Sequence, residues 1–577
     1  MADPLYHTPL NPTGDEIRLL VLFPAPRDAP IRCRLETASL SSGPKYDVLT
    51  YLWAAINKSE TITVNDTPFP VSKPIAAALR RLRPPSGSPR NLWIDAVCVD
   101  YQQDQQHWRL PPNIYAKARQ LCVWVGEFTA GGAMGAGGLE FPHPDCDART
   151  PPRLAFVQEA VLARRIVVMR GQDEMAWEAM GNSLGGDDEE GASPETLDFL
   201  RLYRSIKVLR QKWSDGKRDF CPYGLLYEFR WLACEDPRDR IYSSLNLAPR
   251  MLEAGLAPNY DTSVSTAHIY ADFARKMIQH TGCVDILNYV RERRSLTPTP
   301  DTTTAEGAAE PSELPSWAPN WSVSDAHDPT PLLDWLDDDA SPRYRAAKLM
   351  PAQIQPHPDP NTLVLNGIRF DEVVALGTPW HPETNHPPAS RMGIEALEQW
   401  EALALATPVS CPYGGTDSDR RAALWRTYIG DFAGERSAPA GAAAAVLEGW
   451  YGPGIADQQR PPLRNPFHDL RGYYLRVKRS IGGDAEGVEY ARRIRAACGH
   501  RRLLVSKRGY VGLAPGHAEP GDVVAVLHGG STPFLLRPGA VPGVYSVVGE
   551  CFVYGIMGGE ALAWENAAAA ARDFRIV

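Results

Sequence analysis

The chain has 577 residues, 44% of them hydrophobic and 22% charged, with a net charge of -9. That length exceeds a single hydrophobic core and predicts several domains of ordinary globular composition. The acidic balance argues against a general nucleic-acid or anionic-membrane surface, and no apolar run reaches membrane-spanning length.

The N-terminus lacks the basic and apolar regions of a signal peptide. Ten cysteines without a CxxC pair predict reduced thiols in a cytoplasmic protein. Residues 17–22 and 31–35 read as strands across a proline-rich loop, and residues 46–53 as a third. Residues 61–64 and 69–71 flank the Asn65-Asp66 turn of a small hairpin. Ser72 is a candidate N-cap with Pro74 near the first helical position. Ile75, Ala78, Leu79 and Leu82 then recur at helical spacing.

The stretch from Arg90 to Asp100 is mostly apolar and reads as a strand covered on both faces. Asp95 interrupts it. A carboxylate there needs a partner or a polar cleft; it either ties a loop to the sheet or opens into a site. A helix near 113–120, a strand over 121–126, a helix over 153–164 and a strand over 165–170 complete a β-α-β-α-β-α-β order. Right-handed crossovers would make this a parallel sheet. The glycine loop at 131–138 lacks the Lys-Ser/Thr of a phosphate-binding loop.

The pattern then turns helical to about 295, interrupted by an acidic loop at 187–190 that reads as solvated. A Thr/Pro-rich linker covers 296–313. Glycine-punctuated strands from residue 363 onward predict a small barrel or sandwich, broken by a helical insertion at about 394–496. The expected divisions are 1–45, 46–172, 173–295, 296–313 and 314–577.

Several of these segments resemble the fungal heterokaryon-incompatibility (HET) domain proteins. Tyr46-Asp47-Val48-Leu49-Thr50-Tyr51-Leu52-Trp53 is similar to the family's opening motif. Leu92-Trp93-Ile94-Asp95-Ala96-Val97-Cys98-Val99-Asp100 resembles its Trp-Ile-Asp-Ala signature, and Phe156-Val157-Gln158-Glu159 its closing Val-Gln-Glu. Asp236-Pro237-Arg238-Asp239-Arg240 and Gly549-Glu550-Cys551-Phe552 resemble motifs of full-length relatives. Departures from the pattern fall at Ala54, Asp100-Tyr101 and Ala155.

The resemblance implies a parallel-sheet α/β domain similar to Toll/interleukin-receptor (TIR) domains, followed by a helical region and a β-rich C-terminal domain. Some TIR domains cleave NAD at the nicotinamide–ribose bond. On that reading Glu159 is the catalytic carboxylate, and Tyr51, Trp53, Asp95, Asp100 and Gln158 surround the substrate. NAD is then substrate, with no cofactor and no metal. A carboxylate can stabilise the ribosyl cation left when nicotinamide departs.

The residues alone leave other roles open. Glu159 could equally be a helix-surface carboxylate in a salt bridge, and Tyr51 and Trp53 core packing. Cys98 reads as a buried apolar residue rather than a nucleophile. His107 and Trp108 fall in a polar segment, and His143 and Cys146 lack a second metal-ligand pair. The family role is non-self recognition and regulated cell death. The alternative is a non-enzymatic module that acts by self-association or by binding other incompatibility proteins.

Overall fold

The structure is a computed structural model that describes residues 6, 10–11, 15–51, 60–100, 113–126, 152–183, 194–292, 314–322, 330–332, 344–348, 350–381, 391–431, 493–494, 496–564 and 567–577. It divides into two units, residues 1–252 with 257–259, and residues 253–256 with 260–577. The glycine loop, the acidic loop, the Thr/Pro-rich linker, His107, Trp108, His143 and Cys146 lie outside the described residues.

The first unit is built on one nine-stranded sheet with the order β5-β4-β2-β1-β6-β3-β7-β8-β9. Its centre is β6 (Arg90–Trp93), β3 (Asp47–Tyr51), β7 (Leu121–Trp124) and β8 (Ile166–Arg170). These four run parallel, because helices α1 (Lys73–Leu82), α3 (Asn113–Lys117) and α4 (Ala155–Leu162) lie in the crossovers. The α1 face buries Ile75, Ala76, Ala78, Leu79 and Leu82.

The sheet as a whole is mixed, which corrects the expectation of a parallel one. β1 (Glu16–Leu22) is antiparallel to β6, and β2 (Arg32–Ser39) is antiparallel to β1. The N-terminal segment therefore extends the sheet itself. β4 (Glu60–Val64) and β5 (Thr67–Val71) form the expected hairpin, and β4 joins the edge beside β2. Asn65 at φ 51° and Asp66 at φ 59° make the two-residue turn that matches strand twist. At the other edge β9 (Asp173–Ala176) folds back antiparallel on β8. The stretch expected to turn helical at 173 thus begins with an edge strand, and helices such as Trp177–Ser183 and Pro194–Ser214 follow.

The predicted strand over 90–100 is also shorter than expected. It stops at Trp93, and α2 (Asp95–Cys98) makes one helical turn. The Asp95 carboxylate accepts from its neighbour's N–H at Ala96, 2.7 Å away, while Val97 and Cys98 face the core. A short apolar run is equally at home in a buried strand and a buried turn.

The second unit is β-rich. Strands β11 (Leu363–Leu376), β14 (Val523–Leu527), β15 (Phe534–Pro538), β16 (Val544–Glu550) and β18 (Ala571–Ile576) close into a ring. Closure is possible because β11 pairs with both β14 and β18. Strand β12 (Arg501–Ser506) alternates: Leu504 enters one core with Phe370, Val526 and Val553. Leu503 and Val505 enter another with Trp400, Trp425 and Tyr428. That second core is roofed by helices Arg391–Ala406 and Asp417–Tyr428; the rest of the predicted insertion, 432–492, is not described. Between the start of β12 and the end of β16 lies an ion pair removed from solvent, Arg501 Nη2 to Glu550 Oε1 at 2.7 Å.

Candidate active site at the strand ends

The C-terminal ends of the central strands β3 and β6 and the start of α4 meet at one rim of the sheet. Tyr51 ends β3, held by its pairing with Trp124 of β7. Asp95 follows β6 on α2. Arg153 lies two residues before the start of α4, where its neighbours are fixed by main-chain bonds: Ala233 N–H donates to Pro152 O (2.8 Å) and Leu154 N–H to Ala233 O (2.9 Å). The Arg153 guanidinium donates from Nη2 to Asp95 Oδ2 at 2.7 Å. Its carbon lies 4.3 Å from the centre of the Tyr51 ring, a cation–π arrangement.

Glu159 sits one and a half turns into α4 and is 3% exposed. The helix buries Phe156, Val157, Ala160, Val161 and Leu162 as well, so it has little solvent face and the surface salt-bridge role does not apply. Burial pushes the carboxyl up to about 7, and Asp95 adds to that; Arg153 and a hydrogen bond from the Thr50 side chain pull the other way. Oε2 has no hydrogen-bond partner among the described residues. An unpartnered buried carboxylate oxygen costs free energy.

The same surroundings act on the other members. Burial raises the Tyr51 phenol far above its usual value, assisted by the Asp95 charge. For Arg153, burial alone would weaken proton binding, but Asp95, Tyr51 and Glu159 outweigh it and the guanidinium is held charged.

Three of the sequence candidates, Tyr51, Asp95 and Glu159, therefore converge. Asp100 is buried just past α2 and Gln158 is half-buried on α4; the Arg153 contacts run to Asp95 and Tyr51, not to these two. Trp53 lies outside the described residues. Cys98 is buried, and desolvation pushes its thiol up to about 12, a setting that disfavours the reactive thiolate.

Sequence reasoning missed Arg153 and Thr50. Arg153 stands three residues ahead of the Phe156-Val157-Gln158-Glu159 motif, and Thr50 lies inside the first strand motif. The small space nearby, lined by Leu154, Val157, Leu225, Phe229, Ser243 and Leu247, is mainly apolar and does not take in Tyr51, Asp95 or Glu159. No group of three His, Cys, Asp or Glu side chains suited to a metal occurs among the described residues.

Residues 46–150 match the family described as heterokaryon incompatibility protein (HET), and residues 477–577 match the Het-6 beta-barrel domain. The chain is 23% identical to heterokaryon incompatibility protein 6, OR allele, of Neurospora crassa, over 96% of this chain and 95% of that protein. The chain carries a HET domain.

No solved structure matches it at a significant level. The matched HET stretch contains Tyr51 and Asp95 and ends just before Arg153 and Glu159. The matched barrel stretch covers β12 onward, and β11, which closes the ring, precedes it. No helix among the described residues is long and apolar enough to cross a membrane.

Proposed function

We propose that the protein acts in fungal heterokaryon incompatibility and that its first unit hydrolyses NAD in the manner of TIR domains, with Glu159 as the catalytic carboxylate. The role in incompatibility rests on the two domain matches and on similarity to the Neurospora protein along nearly its whole length. One observation carries the chemistry: a buried carboxylate with an unpartnered oxygen at the C-terminal ends of parallel strands, beside an aromatic ring and a second carboxylate. Ligands of open α/β sheets bind outside those strand ends.

In the reaction the bond between the ribose anomeric carbon and the pyridinium nitrogen breaks. Nicotinamide leaves neutral with the bonding pair, and the positive charge passes to the ribose. Glu159, when ionised, stabilises that cation and accepts the proton released as water adds to the anomeric carbon. The Tyr51 ring offers a face for the pyridinium, and Asp95 adds a second negative charge.

The test uses the full chain and its Glu159→Gln variant, with loss of NAD and release of nicotinamide as readouts. Consumption by the wild type that falls by about a hundredfold or more in the variant supports the reading. No consumption by a folded wild type, or equal consumption by both, defeats it. The second reading is a non-enzymatic module acting by self-association or on other incompatibility proteins. It is favoured by the direct Arg153–Asp95 pair, which satisfies one site carboxylate without any ligand. A cell-death response in a fungal host without NAD loss, unchanged by Glu159→Gln, would select it.

A further inference from the structure

The shape of the Arg153 contacts has a meaning of its own. A flat, delocalised cation lies over the Tyr51 ring at 4.3 Å and is tied to Asp95 at 2.7 Å. Both side chains of that ion pair are only 18% exposed. A second carboxylate, Glu159, is buried alongside with one oxygen unpartnered. Two carboxylates and one aromatic face thus surround a single cation, the arrangement that recognises planar cations generally. The cation here belongs to the chain itself. Its main chain is pinned on either side through Pro152 and Leu154.

We propose that Arg153 is an internal occupant of a receptor for a flat pyridinium-type cation, and that this conformation is self-blocked until the guanidinium withdraws. The inference deepens the NAD reading by assigning the place of the ring, and it rests on that reading for the identity of the substrate. A guanidinium and a pyridinium share planarity, a single positive charge and affinity for a π face. They differ in that the quaternised ring nitrogen has no hydrogen to donate, whereas the guanidinium binds Asp95 through its own N–H groups, so Arg153 holds the site until a substrate anchored elsewhere displaces it.

The probe is 1-methylnicotinamide, a pyridinium without ribose or phosphates, titrated calorimetrically into the full chain. Arg153→Ala should bind it about tenfold or more tightly than the wild type. Methylguanidinium should compete, and adding Tyr51→Leu should remove the gain. Arg153→Met, which keeps much of the side-chain volume without the charge, is the second variant should the alanine fail to fold. A folded variant that binds no better than the wild type overturns the proposal, as does binding indifferent to Tyr51→Leu. Failure of both variants to fold overturns it too, since Arg153 would then be a structural pillar. The two readings fail separately. Pyridinium binding by Arg153→Ala without NAD hydrolysis keeps the receptor and removes the enzyme. Hydrolysis by the wild type with no gain in Arg153→Ala does the reverse.

Discussion

Replacing Glu159 by Gln should stabilise the first unit above neutral pH and do little in acid. The carboxyl is carried by burial from its usual 4.5 to about 7 in the folded state. At about 1.4 kcal/mol per tenfold change, this corresponds to about 3 kcal/mol. Below pH 4.5 the group is protonated whether the chain is folded or not, and no difference arises. As the pH rises from 4.5 to 7 the unfolded chain releases the proton and the folded chain retains it, so the wild type loses stability across that window. Above about 7 the loss is complete. A neutral amide escapes it.

The advantage of Glu159→Gln over the wild type should therefore grow by about 3 kcal/mol between pH 4 and pH 8. For a unit of this size that corresponds to roughly 6–12 °C in melting temperature. Urea unfolding of the full chain followed by tryptophan fluorescence, wild type against variant at each pH, measures it. A stability difference that stays flat with pH, or a variant less stable than the wild type at pH 8, would refute the picture of a desolvated carboxylate.

Other consequences follow from the same kind of reasoning. If the ionised form of Glu159 does the chemistry, NAD consumption at saturating substrate should rise with pH through about 7 and level off; a rate independent of pH from 6 to 8 would speak against it. Asp47 is fully buried and accepts from Arg90 Nη2 at 2.6 Å and Arg119 Nη2 at 2.5 Å. Asp47→Ala should cost about 3 kcal/mol or more in urea unfolding, whereas Arg119→Ala, whose side chain is 65% exposed, should cost less than about 1 kcal/mol. In the second unit a methyl group at Gly512 would stand 2.1 Å from Phe552 O, inside the pairing of β13 (Val511–Pro515) with β17 (Phe552–Val553). Gly512→Ala should lower stability by about 2 kcal/mol or more, read from the melting of that unit.

The alternation of strands and crossover helices from Tyr46 to Arg170 was readable because each is a local pattern: α1 from its helical spacing, the hairpin from Asn65-Asp66, β8 from its β-branched run. Which strands pair is not local. Nothing in residues 17–22 says that they lie antiparallel beside β6, and nothing in 173–176 marks an edge strand, so the mixed sheet stayed hidden. Asp95 was noticed as an intruder in an apolar run, but that run suits a strand and a buried turn alike. Glu159 was recognised through its motif, and its helix is apolar nearly all round, a pattern that signals burial. Arg153 was missed because a long basic side chain ahead of a helix ordinarily lies in solvent, and only the fold brings Tyr51 beneath it.

Strand β11 meets β14, β18 and β12 along one length, yet it ends at Leu376 and the first of those partners begins at Arg501. During synthesis the ribosome therefore produces this strand, with Leu363, Val364, Leu365 and Ile368 destined for the interior, when only the two-residue strand Ile354–Gln355 is there to pair with it and its three long partners are still to come. Late, distant pairing of this kind slows folding and leaves a bare sticky edge for chaperones to shield. Yield of the full-length polypeptide in a cell should consequently depend more on holdase capacity than the equilibrium stability of the finished barrel would suggest.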